Sequence, residues 1–314
     1  MISALTLIEG TPSESFLLRK HPDEKHFGVQ LAVSNAGIAK KAVKFINDQC
    51  DYSWISINSA CPIDCLTSKG MGAAMMSRPS KLQSIVEAVS TQTNKMISIK
   101  IRQGISEPTV HNWIGDVADW SKNQMSVMMH GRTAQARYSK SADYEYLSQI
   151  NDILSGKGVN FVGNGDVYLP SQLNHLYEKK INHVAVGRAA LYKPWVFKEL
   201  IDGQIYDVTG SERMEIVRKF CNYGLSFHGS DVAGVETTRK FCLEFLSFFT
   251  RYVPVGILAE PHYLNLRAPL FIGRNDSETM LASRKVEDWV KITEMFLGKR
   301  PSNFQFIPKH KSKV

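Results

Sequence analysis

The sequence predicts an α/β fold of the (β/α)8 TIM-barrel type, followed by an all-α C-terminal domain. Three observations predict it. Short apolar strands alternate with amphipathic helices up to about residue 202, the pattern of a parallel sheet with crossover helices. Polar groups stand at the C-terminal ends of successive strands: Gln30, Asn58, Lys100 with Arg102, His130, Asn164 and Arg188. A barrel gathers those ends around one mouth, whereas an open doubly wound sheet spreads them along a line. Beyond residue 203 the strand signal all but stops.

Taken in order, six strands are expected, over Phe27–Ala32, Trp54–Asn58, Ile97–Arg102, Met125–His130, Val159–Gly163 and His183–Gly187. Between them, Ile38, Ala42, Phe45 and Ile46 follow helical spacing, as do Leu82, Ile85, Val86 and Val89. Val110, Trp113, Ile114, Val117 and Trp120 predict a further helix in the same way. After Pro194-Trp195 the apolar positions Val217, Phe220, Cys221 and Leu225, then Phe241, Phe245, Phe248 and Phe249, mark helix faces. Glu215, Arg218, Lys219, Glu236, Arg239 and Lys240 mark the solvated sides, and one last helix is expected from about Ser277 to Leu297. The expected division is a barrel over 1–203, a helical domain over 204–300 and a basic tail over 301–314.

Composition bounds the class. With 314 residues, 43% hydrophobic and 22% charged, the chain is an ordinary globular one with room for one large or two medium domains. No apolar run reaches the length of a membrane span, and the first ten residues do not read as a signal peptide. Five scattered cysteines suit reduced thiols in a cytoplasmic or nuclear setting better than a disulfide framework. The balance of 38 Lys+Arg against 30 Asp+Glu gives +8, with the surplus from Arg213 onward, and favours a polyanionic partner.

The stretch richest in chemistry is Asn58-Ser59-Ala60-Cys61-Pro62-Ile63 with Gly70-Met71-Gly72-Ala73-Ala74. It places a thiol in a turn just past a strand end, where a barrel enzyme keeps reactive groups. Cys61 could equally be a small buried hydrophobe, half of a metal site with Cys65, or part of a redox dithiol. No second Cys/His pair has metal spacing, so no metal is expected in this segment. A thiol is mostly protonated at neutral pH yet gives its proton up readily, which suits a general acid. Lys100 and His130 at one mouth suit an electron-rich ring or an anion. Gly163-Asn164-Gly165-Asp166 and Gly187-Arg188-Ala189-Ala190 end the last two strands. Small residues there let backbone N–H groups approach a phosphate.

These stretches, with Gly28-Val29-Gln30-Leu31-Ala32, Lys100-Ile101-Arg102 and His130-Gly131-Arg132-Thr133, resemble the tRNA-dihydrouridine synthases, flavin enzymes that reduce uridine in tRNA. The C-terminal motifs Gly229-Ser230-Asp231, Arg251-Tyr252-Val253-Pro254-Val255-Gly256 and Phe306-Ile307-Pro308-Lys309 resemble the eukaryotic type that modifies uridine 47. The resemblance implies FMN as cofactor, NADPH or NADH as reductant and tRNA as partner, with no membrane association. It implies that Gln30, Lys100 and His130 meet the flavin ring and ribityl chain. Asn164, Gly165, Asp166, Gly187 and Arg188 are then the phosphate end. Asn58 would hold the uracil, and Cys61 would protonate C5 after a hydride reaches C6. Arg102, Arg132 and Arg137 would contact the uridine or its phosphates.

Two departures from the family pattern set further expectations. Ala60 stands where the family has Gly, so a positive φ there would cost about 1–2 kcal/mol. The resemblance also implies that the first two barrel strands and a preceding zinc-finger region are lacking, leaving six strands. The rival readings are a non-catalytic RNA-binding remnant and a flavin barrel acting on a small pyrimidine.

Overall fold

The computed structural model describes residues 1–262, 266 and 268–309. The chain forms two compact units, Met1–Val167 with Gln172–Ala185, and Tyr168–Ser171 with the residues from Val186 on. Among the described residues no helix is long and apolar enough to cross a membrane.

The first unit is a seven-stranded, wholly parallel sheet of (β/α)-barrel type, in the order β1-β2-β3-β4-β5-β6-β7. The strands are β1 (Ile2–Ser3), β2 (Gly28–Ala32), β3 (Trp54–Asn58), β4 (Met96–Arg102), β5 (Met125–His130), β6 (Asn160–Asn164) and β7 (Val184–Ala185). The six expected strands are present within a few residues. The expectation of six is corrected to seven by β1, which pairs Ile2 with Leu31 and Ser3 with Ala32. Two residues carry no alternation to read, so β1 leaves no periodic signal.

The pleat separates two chemistries. Val29, Leu31, Ile55, Ile57, Ile97, Ile99, Ile101, Val127 and Met129 lie on one face and are all but fully buried. Facing them in the chain's layering are the buried stripes Ala39, Ala42, Val43 and Ile46 of helix Ala36–Gln49, and Leu82, Ile85, Val86 and Val89 of helix Pro79–Ser90. The other face is polar and in register. Gln30 pairs Ser56, Ser56 pairs Ser98, Ser98 pairs Ser126 and Ser126 pairs Asn160. Nearer the strand ends Asn58 pairs Lys100, and Arg102, His130 and Asn164 form one row. The register therefore puts the candidate residues on one face at one end.

One expected helix is different. Val110–Trp120 is two 3-10 segments, Val110–Asn112 and Ile114–Asp119, with Val110, Ile114 and Val117 buried. Gly115, Asp116 and Asp119 are poor helix formers, so the apolar spacing survives without an α-helix.

The second unit is helical. Helices Gly210–His228 and Val232–Phe249 form an antiparallel hairpin through Gly229-Ser230-Asp231, where the Asp231 side chain accepts from Gly234 N at 2.8 Å as N-cap. Val217, Cys221, Cys242, Leu246, Phe249 and Ile292 are among its core. Arg239, expected on a solvated face, is fully buried. Its guanidinium bonds Glu236, Thr293 Oγ1 at 3.1 Å and Gly298 O at 3.0 Å, and so ties the hairpin to helix Val286–Leu297. The single late helix is two, Asp276–Ala282 and Val286–Leu297. The chain turns out at Ser283, whose carbonyl takes Trp289 Nε1–H at 2.7 Å.

Candidate active site

Asn58 ends β3 and organises the loop after it. Its Oδ1 accepts from Ala60 N at 3.2 Å and Cys61 N at 3.0 Å, and its Nδ2 donates to Gln30 Oε1 at 3.0 Å and faces Met1 Sδ at 2.9 Å. Gln30 in turn donates to Ser56 Oγ at 3.3 Å. Asn58 is 6% exposed with both ends of its amide engaged. These hydrogen bonds position the Cys61 loop.

Three further contacts pin that loop. Ala73 N donates to Cys61 O at 2.9 Å. Gly72 has φ +57°, and a Cβ there would sit 2.5 Å from Cys61 O, so the loop closes only on a glycine. Arg102 Nε donates to Ala60 O at 2.9 Å and Nη1 to Thr133 O at 3.0 Å, joining the loops after β3 and β5. Ala60 is not among the non-glycine residues with positive φ, which are Arg137, Asp166 and Lys180, so the expected strain is not there. The Cys61 side stays half-exposed in this fixed frame.

Arg132 and Asp166 form a buried ion pair. Arg132 is 1% exposed. Its guanidinium bonds Asp166 Oδ2 and Lys140 O, and its Nη1 lies 3.4 Å from His130 Nε2. Asp166 also accepts from Ala142 N at 2.8 Å. The pair joins the loops after β5 and β6. Between them Gly165 has φ +129°, and a Cβ would lie 2.8 Å from Ala142 Cβ. Asn164 Nδ2 donates to Ala185 O at 2.7 Å.

The same end holds further polar groups. Lys100 is half-buried and pairs with no carboxylate among the described residues. Burial first, then Arg102, pushes its pKa down. Burial, with Arg102, Arg132 and Lys100 adding repulsion, holds His130 down at about 3, so it is neutral at physiological pH. A guanidinium only donates, so Nε2 is the acceptor and Nδ1 carries the hydrogen. That Nδ1 is buried and partnerless, as are Ser59 Oγ and Gln103 Nε2 after β3 and β4. Ser59 and Gln103 carry no sequence signal, because nothing local distinguishes them from turn residues. Arg137 is exposed at φ +45°, beside the half-exposed Tyr138.

Gly187 and Arg188 belong to the second unit. A Cβ on Gly187 would meet nothing within 4 Å, and Arg188 begins the short helix Arg188–Tyr192. Arg251 has no role that its sequence neighbours suggest. Burial first, then the Arg188 charge, lowers its pKa, so two guanidinium groups 63 positions apart influence one another. Among the described residues no group of three or more His, Cys, Asp or Glu could hold a metal ion. A cavity of about 600 Å³, lined by Asn47, Cys50, Tyr52 and Thr93 among others, precedes β3 and β4 and so lies at the opposite strand ends.

The family model for dihydrouridine synthase (Dus) matches residues 1–245. A Xenopus tropicalis tRNA-dihydrouridine(47) synthase-like protein is 39% identical over 99% of this chain and 49% of its own length. The Homo sapiens protein of that name is 38% identical over 99% and 48%. The Candida albicans tRNA-dihydrouridine(47) synthase is 40% identical over 99% and 54%. All three names carry NAD(P)(+), and the chain spans about half the length of these relatives.

Proposed function

We propose that this chain, which belongs to the dihydrouridine synthase family, carries the catalytic centre of a tRNA-dihydrouridine synthase that reduces the uracil C5=C6 bond at position 47. The observation that carries the reading is the fixed loop holding Cys61 beside the polar strand-end row of Lys100, Arg102 and His130.

The donor set fits FMN. Lys100 without a carboxylate partner among the described residues and the buried Nδ1–H of His130 suit the acceptor-rich polar edge of a flavin. Bound FMN, reduced by NADPH or NADH, supplies a hydride for uracil C6. Lys100 offsets negative charge at the flavin edge, and neutral His130 donates without adding charge. Asn58, Arg102 and Gly72 hold the Cys61 backbone so that its thiol can give its proton to C5. Arg137, exposed at the loop after β5, meets RNA phosphates. The target base is drawn out of folded tRNA to reach this end of the sheet. The compartment that suits this work is the cytoplasm or nucleus.

The test is single-turnover flavin spectroscopy of Cys61→Ala. NADPH should still bleach the flavin, and tRNA should no longer restore its absorbance, with a loss of at least about 100-fold. Reoxidation by tRNA at the wild-type rate would remove Cys61 from the mechanism. A protein that retains no flavin would favour the RNA-binding remnant.

A further inference from the structure

An aromatic ladder on the helical hairpin starts in the core and ends in solvent. Phe249 stacks on Phe245 with centroids 4.7 Å apart, and Phe245 stacks on Phe220 at 4.9 Å and 4°. Nearer the hairpin turn, His228 stacks on Phe241 at 5.3 Å and 8°, with Phe227 edge-on to His228 at 5.1 Å. Phe241 lies four residues before Phe245, and Tyr223 three after Phe220, so both continue the same side of the hairpin. The inner rings are core. Phe241 is 53% exposed and Tyr223 69%.

Single exposed apolar residues are ordinary, but an exposed Phe241 stacked on the half-buried His228 and flanked by further rings is a surface with a shape. Its charge is one-sided as well. Lys219 stands one turn before Tyr223, and Lys240 adjoins Phe241. Both are exposed, and neither pairs with a carboxylate among the described residues. The nearby acids are engaged: Glu215 with Arg218, Glu236 with Arg239, Asp231 as N-cap, and Glu244 accepting from Lys309 N.

We propose that Phe241 and His228, with Tyr223 beside them, are a stacking platform for an unpaired RNA base, and that Lys219 and Lys240 meet the phosphates on either side of it. This rests on the tRNA-modifying reading above and adds a binding site on the second unit. Flat rings with flanking cations match what single-stranded RNA offers, a π-face every nucleotide and a charge between each.

The test measures fluorescein-labelled decauridylate binding to the whole chain by anisotropy at fixed salt. Phe241→Leu keeps apolar bulk and helix propensity but loses the ring, and should weaken binding by about 5- to 150-fold. Phe241→Trp should bind at least as tightly as wild type. The double variant Lys219→Gln/Lys240→Gln, both on the surface, should lower the salt slope by about 1.4, as expected for two lost contacts to a single strand. Circular dichroism melts check that each variant folds. Phe241→Leu binding decauridylate at wild-type affinity would overturn the platform, and a partner protein whose binding responds to Phe241 instead would place protein, not RNA, there. Flavin content and NADPH-driven bleaching are read on the same samples. Their loss in wild type bears on the proposed chemistry alone, and their retention with unchanged RNA binding in Phe241→Leu sinks the platform alone.

Discussion

His130 shows how much a single buried group can decide. The unfolded chain binds a proton on this imidazole below about pH 6.5, whereas the folded protein resists until about 3. Stability therefore falls as pH drops through that window and is unaffected above it. At pH 5 the cost is about 2 kcal/mol. In urea titrations, His130→Gln should lose less stability between pH 7 and pH 5 than wild type does. Equal losses would mean that His130 is protonated in the fold. The position of His130 at a strand end is legible in the sequence, and its neutrality is not. The neutrality comes first from burial and then from Arg102, Arg132 and Lys100, and the fold alone brings both about. The same holds for Arg132. Its sequence neighbours suggest a ligand contact, but its partner Asp166 is 34 positions away, and a guanidinium inside a protein is retained where a carboxylate meets it.

At the scale of elements, the loop Asn58–Ala73 is the piece that function depends on, and its closure is over-determined. Gly72→Ala tests this. A Cβ at φ +57° costs about 1–2 kcal/mol, and the contact 2.5 Å from Cys61 O forces the loop to shift as well. Dihydrouridine formation should fall by about 100-fold while flavin content stays at the wild-type level, since a displacement of about 1 Å at the reacting group is enough. Undiminished turnover in this variant would show that the loop tolerates displacement. The glycine pattern makes this loop legible in the sequence. Asn58 is legible too, but its task is not, because an amide at a strand end reads the same whether it points at a ligand or at the following backbone. The 3-10 segments over Val110–Asp119 stay hidden for a different reason. Apolar spacing reports which face is buried, not which helix carries it.

For the molecule as a whole, charge is the deciding property. The excess of 38 basic over 30 acidic residues is plain from composition. What composition does not reveal is which cations are already occupied. Arg218, Arg239, Arg274, Arg300 and Lys291 in the second unit are each paired with a carboxylate, whereas among the described residues Lys219 and Lys240 are not. Of the basic tail, Lys309 is described, and His310, Lys311 and Lys313 lie outside the described residues. The cations left for RNA are thus fewer than the arithmetic suggests, and the salt dependence of binding counts them. If about four phosphates are neutralised, the slope of log K against log salt is roughly −3.6, and tRNA affinity falls about 150-fold between 50 and 200 mM salt. Filter binding or anisotropy over that range measures it. A slope near zero would mean that the surplus charge does not meet phosphates, and the RNA reading would then rest on the Cys61 site alone. A slope much steeper than −4 would mean that cations beyond the hairpin lysines and Arg137 also meet phosphates, either exposed ones without an ion pair among the described residues, such as Lys40, Lys41 and Lys44, or ones released from exposed pairs such as Arg218–Glu215.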